Sequence, residues 1–344
     1  MMPFSAAGGL HLHPSAPELP GSLELASGIR WLRLPLPFQL DHVNVWLIGE
    51  PDGWTLVDTG IDAAVTREAW RTLFRTALEG RPLRRVIVTH YHPDHMGLAR
   101  FLWEEFRPEF VMTGETEARA RFLLKGAEPE LIEDIAAFCR AHAIDRVGQY
   151  TDYVTGAGYR KMVSGLPGDI TCIDEVTTLL IGGRAWRPII ANGHAPGHMS
   201  LYCEELGLLI AGDQILPNIT CNISVQATNR DEDALDAYLE SMHRFTDLPE
   251  DTVVLPAHGR VFSGLHARID AITAHHRASL DKVLAICAAP RCLTKVAPRM
   301  FRRKLEGLNY FLGLGEALSH LVYLHNRDEV VVETVDRVQR FARR

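Results

Sequence analysis

The 344-residue chain is 47% apolar and 23% charged, enough for one large domain plus a smaller one, and no run approaches the roughly 18 apolar residues that cross a bilayer. Its start, "MMPFSAAGGLHLHPSAPELPG", has no basic stretch leading into a long apolar one, which argues against a secretory leader and for a cytoplasmic protein with a loose N-terminal arm over 1–24. The net charge of −7 is uneven: residues 260–344 carry 15 Lys/Arg against 8 Asp/Glu, leaving −14 on the rest, so an acidic body precedes a basic tail section that either docks on that body or meets nucleic acid.

In chain order, "IRWLRL" (29–34) and "HVNVWLI" (42–48) predict strands bounded by Pro35, Pro37 and Gly49. "PDG" (51–53) turns into a third strand, "WTLVDTG", with Asp58 near its end. Helical periodicity over 61–80 stops at Gly80. The apolar "RVIV" (85–88) predicts the next strand, "MGLARFLWEEF" (96–106) a helix, and "EFVMTGET" (109–116) a strand. This β-β-α-β-α-β run predicts a layered α/β fold with its site at the carboxyl ends of strands.

Residues 117–170 form a helical and then glycine-rich insertion long enough to cover a site; Tyr159 and Arg160 within it are candidate substrate contacts. Hairpins follow around Gly182-Gly183 and around 205–207, then a helix over 231–245 and a last buried strand, "TVVLPAHG" (252–259). Beyond it three helices and "VVVETV" (330–335) outline a winged-helix unit over 265–344. The six cysteines include no Cys-x-x-Cys pair and predict reduced, buried thiols.

The stretch "THYHPDHMG" (89–97) crowds His90, His92, Asp94 and His95 just past a strand end. His90 and His92 alternate onto one face, and imidazoles plus a carboxylate suit Zn²⁺ or Fe²⁺. His198 after "APG", Asp213 after "LLIAG" and His258 after "VVLPA" are the further polar residues at strand ends or turns. His194, four residues before His198, competes for the same role; the Pro-Gly-His context assigns it to His198 and leaves His194 beside the ligands. Asp58 is placed to orient an imidazole from behind. His11 and His13 lie in the arm and read as solvated.

"HYHPDH", "PGH", "AGD" and "AHG", in this order over residues 25–264, resemble the metallo-β-lactamase-fold hydrolase superfamily, and the tail resembles the winged-helix extension of its lactamase-β-2-like branch. The resemblance implies an αββα sandwich and two divalent metal ions, zinc before iron or manganese. It implies His90, His92 and His198 on the first ion, Asp94, His95 and His258 on the second, and Asp213 bridging. "GHMSLY" (197–202) lacks the second glycine of the "GHTxGS"-like run found in many members. The activity implied is hydrolysis of a small ester, thioester or lactone by a metal-activated hydroxide, with Asp94 orienting it or relaying a proton. A metal-dependent endoribonuclease that grips RNA with its basic tail is the second expectation. A mononuclear-iron persulfide dioxygenase-like enzyme on His90, His198 and Asp213 is the third. A small-molecule substrate, no membrane and possible oligomerisation complete the expectations.

Overall fold

A computed structural model describes residues 9–13, 15–26, 28–301 and 304–344; Arg302 and Arg303, read from sequence as part of a solvated helix end, lie outside the described residues. The chain runs β1 (His11–Leu12), β2 (Gly21–Ala26), β3 (Ile29–Pro35), β4 (His42–Glu50), β5 (Gly53–Val57), α1 (Ala64–Thr76), β6 (Leu83–Ile87), α2 (Pro93–Met96), α3 (Ala99–Phe106), β7 (Glu109–Thr113) and α4 (Gly114–Lys125). The insertion adds α5 (Pro129–Ala141) and α6 (Val147–Val154). Then come β8 (Thr171–Ile173), β9 (Leu179–Ile181), β10 (Arg184–Ala191), β11 (His198–Cys203), β12 (Leu208–Gly212), α7 (Ala234–Thr246), β13 (Val253–Pro256) and β14 (Phe262–Ser263). The tail holds α8 (Leu265–Ile286), α9 (Leu293–Met300), α10 (Leu308–Asn326) and the hairpin β15 (Val330–Val335) with β16 (Val338–Arg343).

Two seven-stranded sheets form, β2 to β8 in sequence order and β1-β14-β13-β12-β11-β10-β9. The period-2 alternation of β4 explains how the first sheet buries both faces. Val43, Val45 and Leu47 point to Trp70, Leu73 and Leu102 of the helical layer. Trp46 and Ile48 point the other way, to Trp186, Leu201 and Ile210 of the second sheet. Trp31 and Trp46 are register partners and stack at 5.9 Å. The outer face of the second sheet meets α7, and α8 and α10 pack on α7, in one core that includes Ile189, Leu209, Leu235, Ile269 and Leu318. The result is the expected αββα sandwich with a C-terminal helical unit, here three helices closed by a hairpin.

The loose arm is corrected. His11 and Leu12 pair with Ser263 and Phe262, and Gly21–Ala26 pairs along β3, so the segment covers one edge strand of each sheet. No helix among the described residues is long and apolar enough to cross a membrane.

Backbone hydrogen bonds stitch the two sheets together at one edge. Met199 N–H donates to Thr89 O at 2.8 Å and Asn44 N–H to Ala257 O at 2.7 Å. Thr113 Oγ1 adds a 2.7 Å bond to Gly197 O. These bonds draw the carboxyl ends of β6, β12 and β13 to one rim, where the polar residues of the sequence motifs meet.

Candidate metal centre

Two groups of donors form at this rim: His90, His92, His194 and Asp213, and beside them Asp94, His95 and His258. In the first group, His90 Nε2 lies 2.9 Å from His92 Nδ1 and 3.3 Å from His194 Nε2. Asp213 joins the groups. Its Oδ2 is 3.4 Å from His194 Nε2, and its Oδ1 is 3.5 Å from His95 Nε2 and 3.3 Å from His258 Nε2. Asp94 Oδ2 closes the second group at 3.3 Å from His258 Nε2.

Four imidazoles are held from behind, which fixes the nitrogen that faces inward. Asp58 Oδ2 sits 2.8 Å from His95 Nδ1, while both Asp58 oxygens accept from Thr89, whose hydroxyl lies 3.0 Å from His90 Nδ1. The carbonyl of Asn222 is 2.8 Å from His194 Nδ1, and that of His42 is 2.8 Å from His258 Nδ1. Asp58 thus lies behind the His95 ring. Asn222 and His42 were not expected there, because each acts through a backbone carbonyl, which carries no residue-type signal.

The residues fit bound metal ions. Three imidazole nitrogens converge on one point, and His95 Nε2 and Asp213 Oδ1 are buried without a hydrogen-bond partner. Such inward-facing lone pairs are costly to bury unless something positive sits between them.

Electrostatics differ among the imidazoles, and within the first group Cys221 and Asp213 hold His194 well above its usual value against burial. Burial and the neighbouring imidazoles hold His90 well below the usual imidazole value and push His92 down to about 3. Burial opposes a charge on His258 and His95 too, but carboxylates outweigh it. Asp213 and Asp94 push His258 up to about 10, and Asp213, Asp58 and Asp94 hold His95 well above its usual value. Asp94 goes down to about 2, because His95 and His258 outweigh the burial that favours its neutral form.

One ligand expectation is corrected. His194, not His198, joins His90 and His92. His198 lies within β11, paired with Ala191, and its Nε2 accepts the Asp213 N–H at 3.1 Å. Gly212 allows that approach: its φ is +54°, and a Cβ there would lie 2.5 Å from His198 Nε2. The sequence signal was present. Reading the Gly-His-x-x-Gly run from Gly193 rather than Gly197 supplies the second glycine that "GHMSLY" lacks.

The two substrate-contact candidates are also placed elsewhere. The buried Tyr159 hydroxyl donates to Tyr91 O at 2.7 Å, bracing the loop between His90 and His92. Arg160 donates to Leu123 O at 2.8 Å and Thr155 O at 2.9 Å, closing the end of α4.

A model of the metallo-beta-lactamase superfamily matches residues 39–258, which contain every residue of both donor groups. The chain belongs to this superfamily. A second match, to the metallo-beta-lactamase-like C-terminal domain, covers residues 280–344. A beta-lactamase domain protein of Burkholderia ambifaria is 37% identical, with a TM-score of 0.87 and 96% of each chain covered. A superfamily protein of Thermus thermophilus is 26% identical, with a TM-score of 0.79, over 93% of this chain and 100% of its own. The probable metallo-hydrolase YqjP of Bacillus subtilis is 24% identical over 87% of this chain and 92% of its own length. Membership in this superfamily of metallo-hydrolases supports an enzyme with a metal-binding His/Asp site.

Proposed function

We propose that the protein is a binuclear metal-dependent hydrolase of a small ester, thioester or lactone, with zinc as the metal. His90, His92 and His194 with Asp213 Oδ2 would hold one ion; Asp94, His95 and His258 with Asp213 Oδ1 would hold the other. The observation that carries this is the split of Asp213, one carboxylate oxygen facing each group. Bound divalent cations supply Lewis acidity and a water acidified to near neutrality. The chain's own residues do the rest. Asp58, Asn222 and His42 lock the imidazoles, so little reorganisation remains during reaction. Asp94 lies at the rim with 21% of its side chain exposed, placed to take a proton from an entering nucleophile.

The insertion supports a small substrate. Tyr159 ties it to the Tyr91 loop, and the Tyr153 hydroxyl accepts from Gln226 Nε2 at 2.9 Å, so the insertion is anchored beside the rim. Part of the tail's positive charge is spent internally: Arg327 pairs with Asp233 and Asp236 of the body. That favours an acyl substrate over RNA. Elemental analysis should find two metal equivalents, with turnover of thioesters, esters or lactones that a chelator abolishes. Cleavage of phosphodiesters alone would overturn the acyl reading, and a single metal equivalent the binuclear one.

A further inference from the structure

We infer that Glu316, on helix α10 of the C-terminal unit, positions the His194 imidazole by fixing the Asn222 segment whose carbonyl holds its Nδ1. The inference rests on the reading of His194 as a metal ligand. Asn222 lies in the long connection between β12 and α7, outside any strand. Its carbonyl reaches His194 Nδ1 at 2.8 Å. Its side chain is gripped at both ends: Nδ2 donates to Glu316 Oε2 at 3.0 Å, and Oδ1 accepts from Ser224 Oγ at 2.6 Å. A carboxylate acceptor makes the first bond the stronger kind.

The same helix meets the segment a second time. Val225 N–H donates to Gly315 O at 3.1 Å, and a Cβ at Gly315 would lie 2.6 Å from Ser224 Oγ. Only a glycine lets the helix backbone come this close. Helix α8 secures the start of the connection, where Arg268 donates to Leu216 O and, at 2.7 Å, to Ile219 O. The C-terminal unit therefore sets the angle of one imidazole in the metal group, and Glu316 is a positioning residue that touches neither metal nor substrate.

The test compares full-length wild type with Glu316→Ala, Glu316→Gln, Asn222→Ala and His194→Ala. Each is stripped of metal, reloaded with Co²⁺ against a competing chelator and followed by its visible spectrum. Thermal unfolding of the metal-free proteins runs alongside. Glu316→Ala and Asn222→Ala should weaken one of the two cobalt sites about tenfold and shift its visible bands. Glu316→Gln keeps a weaker, neutral acceptor for Asn222 Nδ2 and should stay closer to wild type than to Glu316→Ala, and the metal-free melting temperatures should stay together. Wild-type cobalt affinity and spectrum in both alanine variants, or a Gln variant as weak as the Ala variant, would overturn the inference. If Glu316→Ala does not fold, Asn222→Ala decides by the same criterion, since it leaves α10 intact. Two normal cobalt sites in His194→Ala would instead show that the ligand reading has failed.

Discussion

Asp58 Oδ2 and His95 Nδ1 lie 2.8 Å apart, both buried, and the same carboxylate accepts the backbone and hydroxyl hydrogens of Thr89. One side chain at the end of β5 therefore orients one imidazole directly and braces the start of the motif that carries the other. Replacing Asp58 with Ala should lower affinity for the ion on the His95 side by about 10–100-fold. Chelator competition measures this; unchanged affinity would remove Asp58 from the site.

His194 and His198 stand four residues apart and should behave differently. His194→Ala is expected to drop metal content from two equivalents to one. His198→Ala should retain both but lose about 1–3 kcal/mol of stability, because the buried Asp213 N–H loses its acceptor. Elemental analysis and denaturant unfolding of the two variants separate the roles, and the reverse pattern would restore His198 as the ligand.

Metal loading should release protons. His258 is held up to about 10 and His95 well above its usual value by the carboxylates around them, so in the metal-free protein a cation must displace protons at neutral pH. Apparent affinity should rise with pH toward the His258 value. Calorimetric titration in buffers of different ionisation enthalpy reads the release, and a value of zero would contradict it.

Stability at mildly acid pH should depend on His142, which is buried against the Phe138 ring at 4.3 Å and faces Phe341. Burial pushes its pKa down to about 4. The unfolded chain takes up a proton near 6.5 while the folded one resists, so this contribution is complete above about 6.5 and is lost as pH falls toward 4. The span corresponds to roughly 3 kcal/mol. Unfolding of His142→Phe should therefore show a shallower acid decline than wild type between these limits. Parallel declines would show that His142 is not the group responsible.

Much of the fold was legible because its signals are local. The alternation in 42–48, the glycine stops and the strand-end polar residues each follow from a few neighbouring positions, and they led to the αββα sandwich and to six of the seven ligand candidates that the structure brings together. The arm was misread because strands β1 and β2 are short and draw their pairing from Phe262, Ser263 and β3, partners a local pattern does not display. Tyr159 was misread because a tyrosine in a glycine-rich segment gives no indication that its hydroxyl will be used on a backbone carbonyl 68 residues away.

By itself, then, the sequence determined the donor-bearing motifs and their order: three histidines and an aspartate after one strand, and further candidate donors at later strand ends. The tertiary structure decided which of His194 and His198 faces the others, because the β10–β11 register commits the His198 ring to the Asp213 backbone and leaves the His194 ring free to turn inward. It also decided what holds that ring, since Asn222 and Glu316 approach it from 28 and 122 positions along the chain and only packing of α10 against α7 and the β12–α7 connection brings them together.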